Sequence, residues 1–188
     1  MSIRNALLAA ALTCAATSAA AIPVQWTEAS GGNGHWYDVI YTGERITQGE
    51  AIIDAEARSY LGLDGYLATI TSAEEMAFIN ANLDRSRYPY ISGTDAAVEG
   101  TWVFNSGPEA GTVMSYFNWN PGEPNNSGGR EDILHTWSNG LWNDHITGDI
   151  IDSYIIEYSQ VAPVPLPASA AMLIVAVAGR GVARRRKG

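Results

Sequence analysis

The sequence predicts a single α+β domain flanked by two processing segments, on three observations. Two stretches carry helix signals, Arg45 to Tyr60 and Ser72 to about Leu83. Short aromatic and β-branched runs alternate as strands do: His35 to Tyr41, Tyr66 to Ile70, Tyr88 to Gly93, Ile133 to Trp137, Gly140 to Trp142 and Tyr154 to Tyr158. Between Asp95 and Asp144 lie about fifty residues with little periodicity, a length rare in a compact domain unless the loop has a function. Tryptophans at 102, 119, 137 and 142 argue against disorder there.

Residues 1–21 read as a secretory signal peptide: Arg4, an apolar run from Ala6 to Ala16, and small residues through Ala21, with cleavage before Ile22. The alternative is a short buried helix. The only cysteine, Cys14, lies in this segment, so the mature domain would have none. Lipid attachment there is disfavoured, because Thr13 is a poor residue before a lipidated Cys.

The domain spans 22–160. Gly31 to Gly34 is a turn. In the first helix Ile46, Ile53, Ala57 and Tyr60 fall near one face, and Gly62 stops it. In the second, Ser72 and Glu75 have the spacing of a capping box, with Met76, Ile79 and Leu83 inward.

Residues 161–188 form a second processing segment. Val164-Pro165-Leu166-Pro167 precedes an apolar run, Ala168 to Ala178, and the cluster Arg184-Arg185-Arg186-Lys187. The run is marginally long enough to span a membrane, and the cluster sets its orientation. Six of the eleven basic residues lie in the two ends, while all twenty acidic residues lie between Glu28 and Glu157. Five cations against twenty anions leave the mature domain near −15. Nucleic acid and anionic lipid surfaces are excluded as partners on that charge.

The stretch Gly122 to Asp144 reads GEPNNSGGREDILHTWSNGLWND. Glu123, Asn125, Asn126, Glu131, Asp132, Asn143 and Asp144 all offer oxygen, a set suited to Ca²⁺ rather than zinc. The bland alternative is a polar surface loop. A cis Glu123–Pro124 bond would turn Glu123 and Asn125 to one side. Glu131 follows Glu123 by eight residues, and Asn143 follows Glu131 by twelve.

Glu-Pro-Asn, the downstream Glu and Trp-Asn-Asp, in that order and spacing, resemble the C-type lectin-like domain. Ile91 to Asp95, Glu99 to Trp102, Asn118-Trp119, Gly65 to Glu75 and Tyr154 to Tyr158 extend the resemblance over roughly residues 34–159. It implies a C-type lectin-like fold with two helices, small antiparallel sheets and a long Ca²⁺-binding loop. It implies one sugar-binding Ca²⁺ site of Glu123, Asn125, Glu131, Asn143 and Asp144, and an auxiliary site of Asp95, Glu99, Asn126 and Asp132. The alternative for the second set is solvated loop acids. Sugar contact falls to Glu123, Asn125, Glu131 and Asn143: carboxylates accept from hydroxyls and amides donate to them. By resemblance, Glu-Pro-Asn goes with equatorial vicinal hydroxyls, as in mannose, glucose, N-acetylglucosamine or fucose.

The chain departs from the vertebrate members in lacking their two disulfides. Ile133, Thr147 and Ile156 stand at three of those cysteine positions, and the fourth falls near Tyr60. The C-terminal segment resembles the PEP-CTERM sorting signal of Gram-negative bacteria, with Leu in place of Glu. That implies transient inner-membrane anchoring, removal by a sorting protease, and release to the cell surface or an exopolysaccharide matrix. A permanent single-span anchor is the alternative.

No enzyme is expected. His35, His135 and His145 are scattered without a nucleophile, and Glu123 and Glu131 are better used as ligands than as a glycosidase pair. His145 follows the Trp-Asn-Asp and lies within reach of a ligand, although a surface His is the simpler reading. The competing function is a Ca²⁺-stabilised structural or protein-binding module.

Overall fold

A computed structural model of the chain describes residues 22–160. The signal-peptide and sorting-segment expectations lie outside the described residues. Strand β1 (Val24–Gln25) pairs with the long β2 (Trp36–Ile46), and β2 pairs antiparallel with β8 (Ile151–Ser159), joining the two ends of the domain. Trp36 to Tyr41 is aromatic and β-branched, as strands favour, and Tyr37, Asp38 and Val39 are all buried, so both faces are covered there.

Helix α1 covers Gln48–Glu56, shorter than the sequence suggests. Its start is fixed by a capping box the sequence reading overlooked: Glu50 N–H donates to Thr47 Oγ1 at 3.3 Å and Thr47 N–H to Glu50 Oε2 at 2.8 Å. Tyr60 is not helical. It lies in β3 (Ser59–Tyr60), which pairs with β4 (Leu63–Leu67) across a turn with Leu61 at φ 52° and Gly62 at φ 79°, the handedness a tight hairpin needs. The buried face of α1 is Gln48, Ala51 and Ala55 rather than the expected Ile46, Ile53, Ala57 and Tyr60, and Ile53 is 69% exposed. Small residues win because α1 lies directly on β4. A Cβ at Gly65 would stand 2.7 Å from the Ala55 carbonyl, so only glycine admits that approach.

Helix α2 (Ala73–Asn82) is capped by Ser72, which accepts Glu75 N–H at 3.1 Å. The reciprocal half of the expected box is absent. Glu75 instead accepts the Thr71 N–H at 2.7 Å and the Tyr37 hydroxyl at 2.6 Å. Met76 and Ile79 are inward, as expected, and Leu83 caps the helix end against the core.

Strand β5 (Tyr90–Thr94) pairs with β6 (Glu131–Thr136), which pairs with β7 (Trp142–Ile146). Strand β7 starts two residues later and ends four residues later than expected, and carries Asn143 and Asp144 within it. The sheet order is β1-β2-β8-β5-β6-β7, with β4 beside β8. Instead of two separate antiparallel sheets, a parallel contact of Tyr90 with Tyr154 joins them into one mixed sheet. Two apolar clusters fill the domain. One holds Trp102, Leu134 and Trp142 with α2, and the other holds Ile133, Tyr154 and Ile156 with α1, Tyr60 packing at its edge. Aliphatic and aromatic packing thus occupies three positions where the resemblance would set cysteines.

Candidate functional site

The long loop leaves β5 at Asp95 and is tied down in stages. Buried Ser92 Oγ accepts the Asn105 and Ser106 N–H groups, each at 3.1 Å, and Gln48 accepts the Asn105 amide at 2.7 Å. Thr94 and Val103 exchange two backbone bonds of 2.9 and 2.8 Å. Trp119 packs edge-on against both Trp102 and Trp142, with ring centroids 5.2 and 6.1 Å apart. Trp142 is wholly buried, and its backbone pairs with Asn118 (2.7 Å) and Asn120 (2.9 Å). Tryptophan 142 therefore fixes both the core and the strand that bears the next two residues.

That lattice brings four of the five expected ligands of the first site, Glu123, Asn125, Glu131 and Asp144, to one junction of loop and hairpin, with Asn143 next to Asp144 on β7. The Glu123–Pro124 bond is cis, as the sequence suggests. Asp144 Oδ1 accepts Asn125 N–H at 3.2 Å and Oδ2 accepts Asn126 N–H at 2.6 Å. Glu131 Oε2 accepts Ser127 N–H at 2.6 Å, and Asn126 Oδ1 accepts Glu131 N–H at 3.2 Å. The Asn125 amide donates to the Glu123 carboxylate. Asn143 lies opposite His135 across the β6–β7 ladder, its amide nitrogen 3.2 Å from His135 Nε2 and also donating to the Asp144 carbonyl. Asn126 sits in the left-handed region at φ 44°, which Asn tolerates better than most residues.

The four residues expected at the auxiliary site are adjacent to this junction. Asp95 N–H meets the Asp132 carbonyl at 3.3 Å, Asp95 Oδ2 accepts Gly100 N–H at 2.8 Å, and the Asn126 amide donates to Glu99. Asp95 is 2% exposed, and its Oδ1 is buried with no hydrogen-bond partner. Asp132 is held at the rim by the Thr147 hydroxyl at 2.9 Å.

The electrostatics are those of crowded anions. Burial raises the Glu123 pKa, and neighbouring Asp144 and Glu131 add to the rise. Burial also raises Asp95, with Asp132 and Asp144 contributing, and Glu99 is raised by desolvation, Asp95, Asp132 and Asp144. No lysine or arginine forms an ion pair with any of these carboxylates among the described residues. Nor, among those residues, do three His, Cys, Asp or Glu side chains form a ready-made metal cluster. The donor set is mixed: amide oxygens must join the carboxylates, several of which now face backbone N–H groups. Buried, unpaired Asp95 Oδ1 and the crowded carboxylates fit a hard cation with oxygen preference.

The histidines, scattered in sequence, are not all scattered in the fold. His35 is remote, bound to Glu157 at 2.5 Å, but His135 and His145 pack together with ring centroids 4.9 Å apart. The signal was the β6–β7 hairpin itself, which folds two residues ten apart onto neighbouring positions.

An irregular loop held over a mixed sheet finds its counterpart among known proteins. Residues 59–149 match the lectin C-type domain. The fold is that of C-type lectins. The cow CD23 C-type carbohydrate-recognition domain aligns with 25% identity and a TM-score of 0.54, covering 69% of this chain and 90% of that one. The human scavenger receptor C-type lectin domain aligns with 26% identity and a TM-score of 0.54, over 65% and 89%. C-type lectin CEL-I from Cucumaria echinata, at 22% identity, a TM-score of 0.55 and 66% and 90% coverage, supports the fold alone. Halomucin of Haloquadratum walsbyi is 34% identical over 137 residues, 67% of this chain and 1% of that protein. The low affinity immunoglobulin epsilon Fc receptor of Mus musculus is 32% identical over 105 residues, 56% of this chain and 30% of the receptor. Perlucin of Haliotis laevigata is 35% identical over 98 residues, 48% and 61%. The chain thus spans less than two thirds of the length of these curated relatives. Lectin C-type domains are non-enzymatic, generally bind carbohydrate and generally bind Ca²⁺. Among the described residues no helix is long and apolar enough to cross a membrane.

Proposed function

We propose that this protein is an exported, Ca²⁺-dependent carbohydrate-binding module that recognises a vicinal diol of mannose or glucose type. The observation that carries the reading is the meeting of Glu123, Asn125, Glu131 and Asp144 at one junction, next to Asn143 on β7, where the carboxylates crowd each other and, among the described residues, none is ion-paired with a lysine or arginine. A bound Ca²⁺ would supply open coordination positions for two hydroxyl oxygens. Glu123 and Glu131 then accept hydrogen bonds from the hydroxyls, and the Asn125 and Asn143 amides donate to the hydroxyl lone pairs. Asp144 holds the Asn125–Asn126 backbone against β7, so the loop is set before a sugar arrives. Asp95, Glu99, Asn126 and Asp132 would hold a second Ca²⁺ beside it, for which the partnerless Asp95 Oδ1 is the support. A contact this small binds weakly, near millimolar, and gains strength by clustering.

Cow CD23, one of the structural relatives, was crystallised in the presence of a GlcNAc2Man3 oligosaccharide, which supports the sugar class. Export rests on the 1–21 segment, and passage through the inner membrane followed by a sorting protease rests on 161–188. Mature protein that still carries Arg184 to Lys187 would refute that processing.

A sugar panel against wild type and the double variant Glu123→Gln/Asn125→Asp tests the diol reading. Wild type should prefer mannose, glucose, N-acetylglucosamine or fucose, and the variant should move toward galactose. An unchanged preference refutes the reading. A second reading is favoured by one observation: both Asp144 oxygens already hold backbone N–H groups. The loop would then be a Ca²⁺-stabilised interaction surface, and no sugar in the panel would bind.

A further inference from the structure

Beside the diol site the hairpin builds a cleft of about 270 Å³. Its walls include Tyr88, Trp137, His145, Arg45, Arg87 and Asp152. Tyr88 and Trp137 meet edge to face, centroids 5.1 Å apart at 74°, and form an aromatic corner. Tyr88 holds φ 57°, a left-handed backbone costly for a bulky residue, and is 43% exposed. Such outliers cluster at ligand contacts, because the surrounding structure must hold them in place.

The cleft adjoins the expected ligands through bonded neighbours. His145 follows Asp144 on β7, its ring packs on His135, and His135 Nε2 lies 3.2 Å from the Asn143 amide. A glycan whose terminal diol sits at Asn143 would therefore lay its next residue along this face.

Charge selects the occupant. Two of the domain's five arginines line this cleft, together with Asp149 and Asp152, so the occupant depends on which cation is left without an acidic partner. Arg87 is matched by Asp152 and stacks over Tyr41, and His145 pairs with Asp149 at 3.1 Å. Arg45 donates Nε–H to the Ile150 carbonyl at 2.8 Å and, among the described residues, forms no ion pair. A tethered guanidinium whose outer N–H groups have no partner among the described residues suits a carboxylate, and an exposed aromatic corner suits the C–H face of a sugar ring.

We propose that this cleft is a second glycan subsite that takes a carboxylate-bearing pyranose, a hexuronate, next to the residue held at the diol site. The proposal extends the carbohydrate reading to an acidic polysaccharide, but the cleft is testable by itself. Methyl glucuronoside is titrated into the protein while the Trp137 indole and His145 ring are followed by NMR, once in Ca²⁺ and once in EDTA. Methyl glucoside is the neutral control, and Arg45→Gln is run in parallel. The glucuronoside should move both signals under either condition and, in EDTA, where the diol site takes no sugar, bind about tenfold tighter than the glucoside. Arg45→Gln should bring the two ligands level while leaving methyl mannoside affinity in Ca²⁺ unchanged. A glucuronoside that leaves Trp137 unmoved, or that matches the glucoside in wild type, overturns the subsite. Methyl mannoside in Ca²⁺ reports separately on the diol site, so its failure alone would count against the proposed function and not against the cleft.

Discussion

Asp144 accepts the backbone N–H of Asn126 at 2.6 Å across eighteen residues of sequence. This charge-assisted bond fastens the Glu-Pro-Asn loop to the strand that carries Asn143. Neutralising it should loosen the loop and remove a ligand together. Asp144→Asn should cost about 1.5–3 kcal/mol of stability, the range for a hydrogen bond to a charged group. It should also weaken Ca²⁺ binding at least tenfold. Thermal unfolding and calorimetric Ca²⁺ titration check the two effects, and Asn143→Ala should show the second with little of the first.

Asp95 makes the opposite trade. It is a buried carboxylate with one oxygen unpartnered, so without a cation its charge opposes folding. Asp95→Asn should melt higher than wild type in EDTA but gain less when Ca²⁺ is added. Wild type should gain about 2.7 kcal/mol at a hundredfold excess of Ca²⁺ over Kd. Equal gains in both proteins would show that Asp95 faces no ion.

His35 gives a pH dependence remote from the loop. Its hydrogen bond to Glu157 raises its pKa above 6.5 against the opposing effect of burial. A raised histidine stabilises fully below its unfolded value and loses that contribution as pH rises through the folded value. The difference in melting temperature between wild type and His35→Asn should therefore be largest near pH 6 and shrink at alkaline pH. A difference that is flat with pH, or grows with it, contradicts the pair.

Gly140 turns the β6–β7 hairpin at φ 83°, and a Cβ there would collide with the Asn80 side chain on α2. Gly140→Ala should lower the melting temperature by several degrees and weaken Ca²⁺ binding, because the turn precedes Trp142 and Asn143 directly. Matching Ca²⁺ affinities would show that the turn and the site are independent.

What the sequence revealed follows from where the physics is local. The aromatic and β-branched strand runs and the Ser72 cap act within a few residues, and these read correctly. The inward face of α1 misled, because Ile53 looks buried by hydrophobicity while the closeness of β4 demands Ala51 and Ala55. Glu75 misled for the related reason that its partners Tyr37 and Glu157 lie far away in sequence. Burial and the Glu157 charge raise its pKa, so it belongs to a buried acidic network rather than to a surface cap. Asp95 could be named from order and spacing, but its orphaned oxygen needed the Gly100 and Asp132 contacts to become visible.

The most direct test of the central claim is calorimetric titration of methyl mannoside into the protein in Ca²⁺ and again after chelation. The account predicts weak binding, about millimolar, that chelation abolishes. Binding of equal strength after chelation, or none in Ca²⁺, would contradict it.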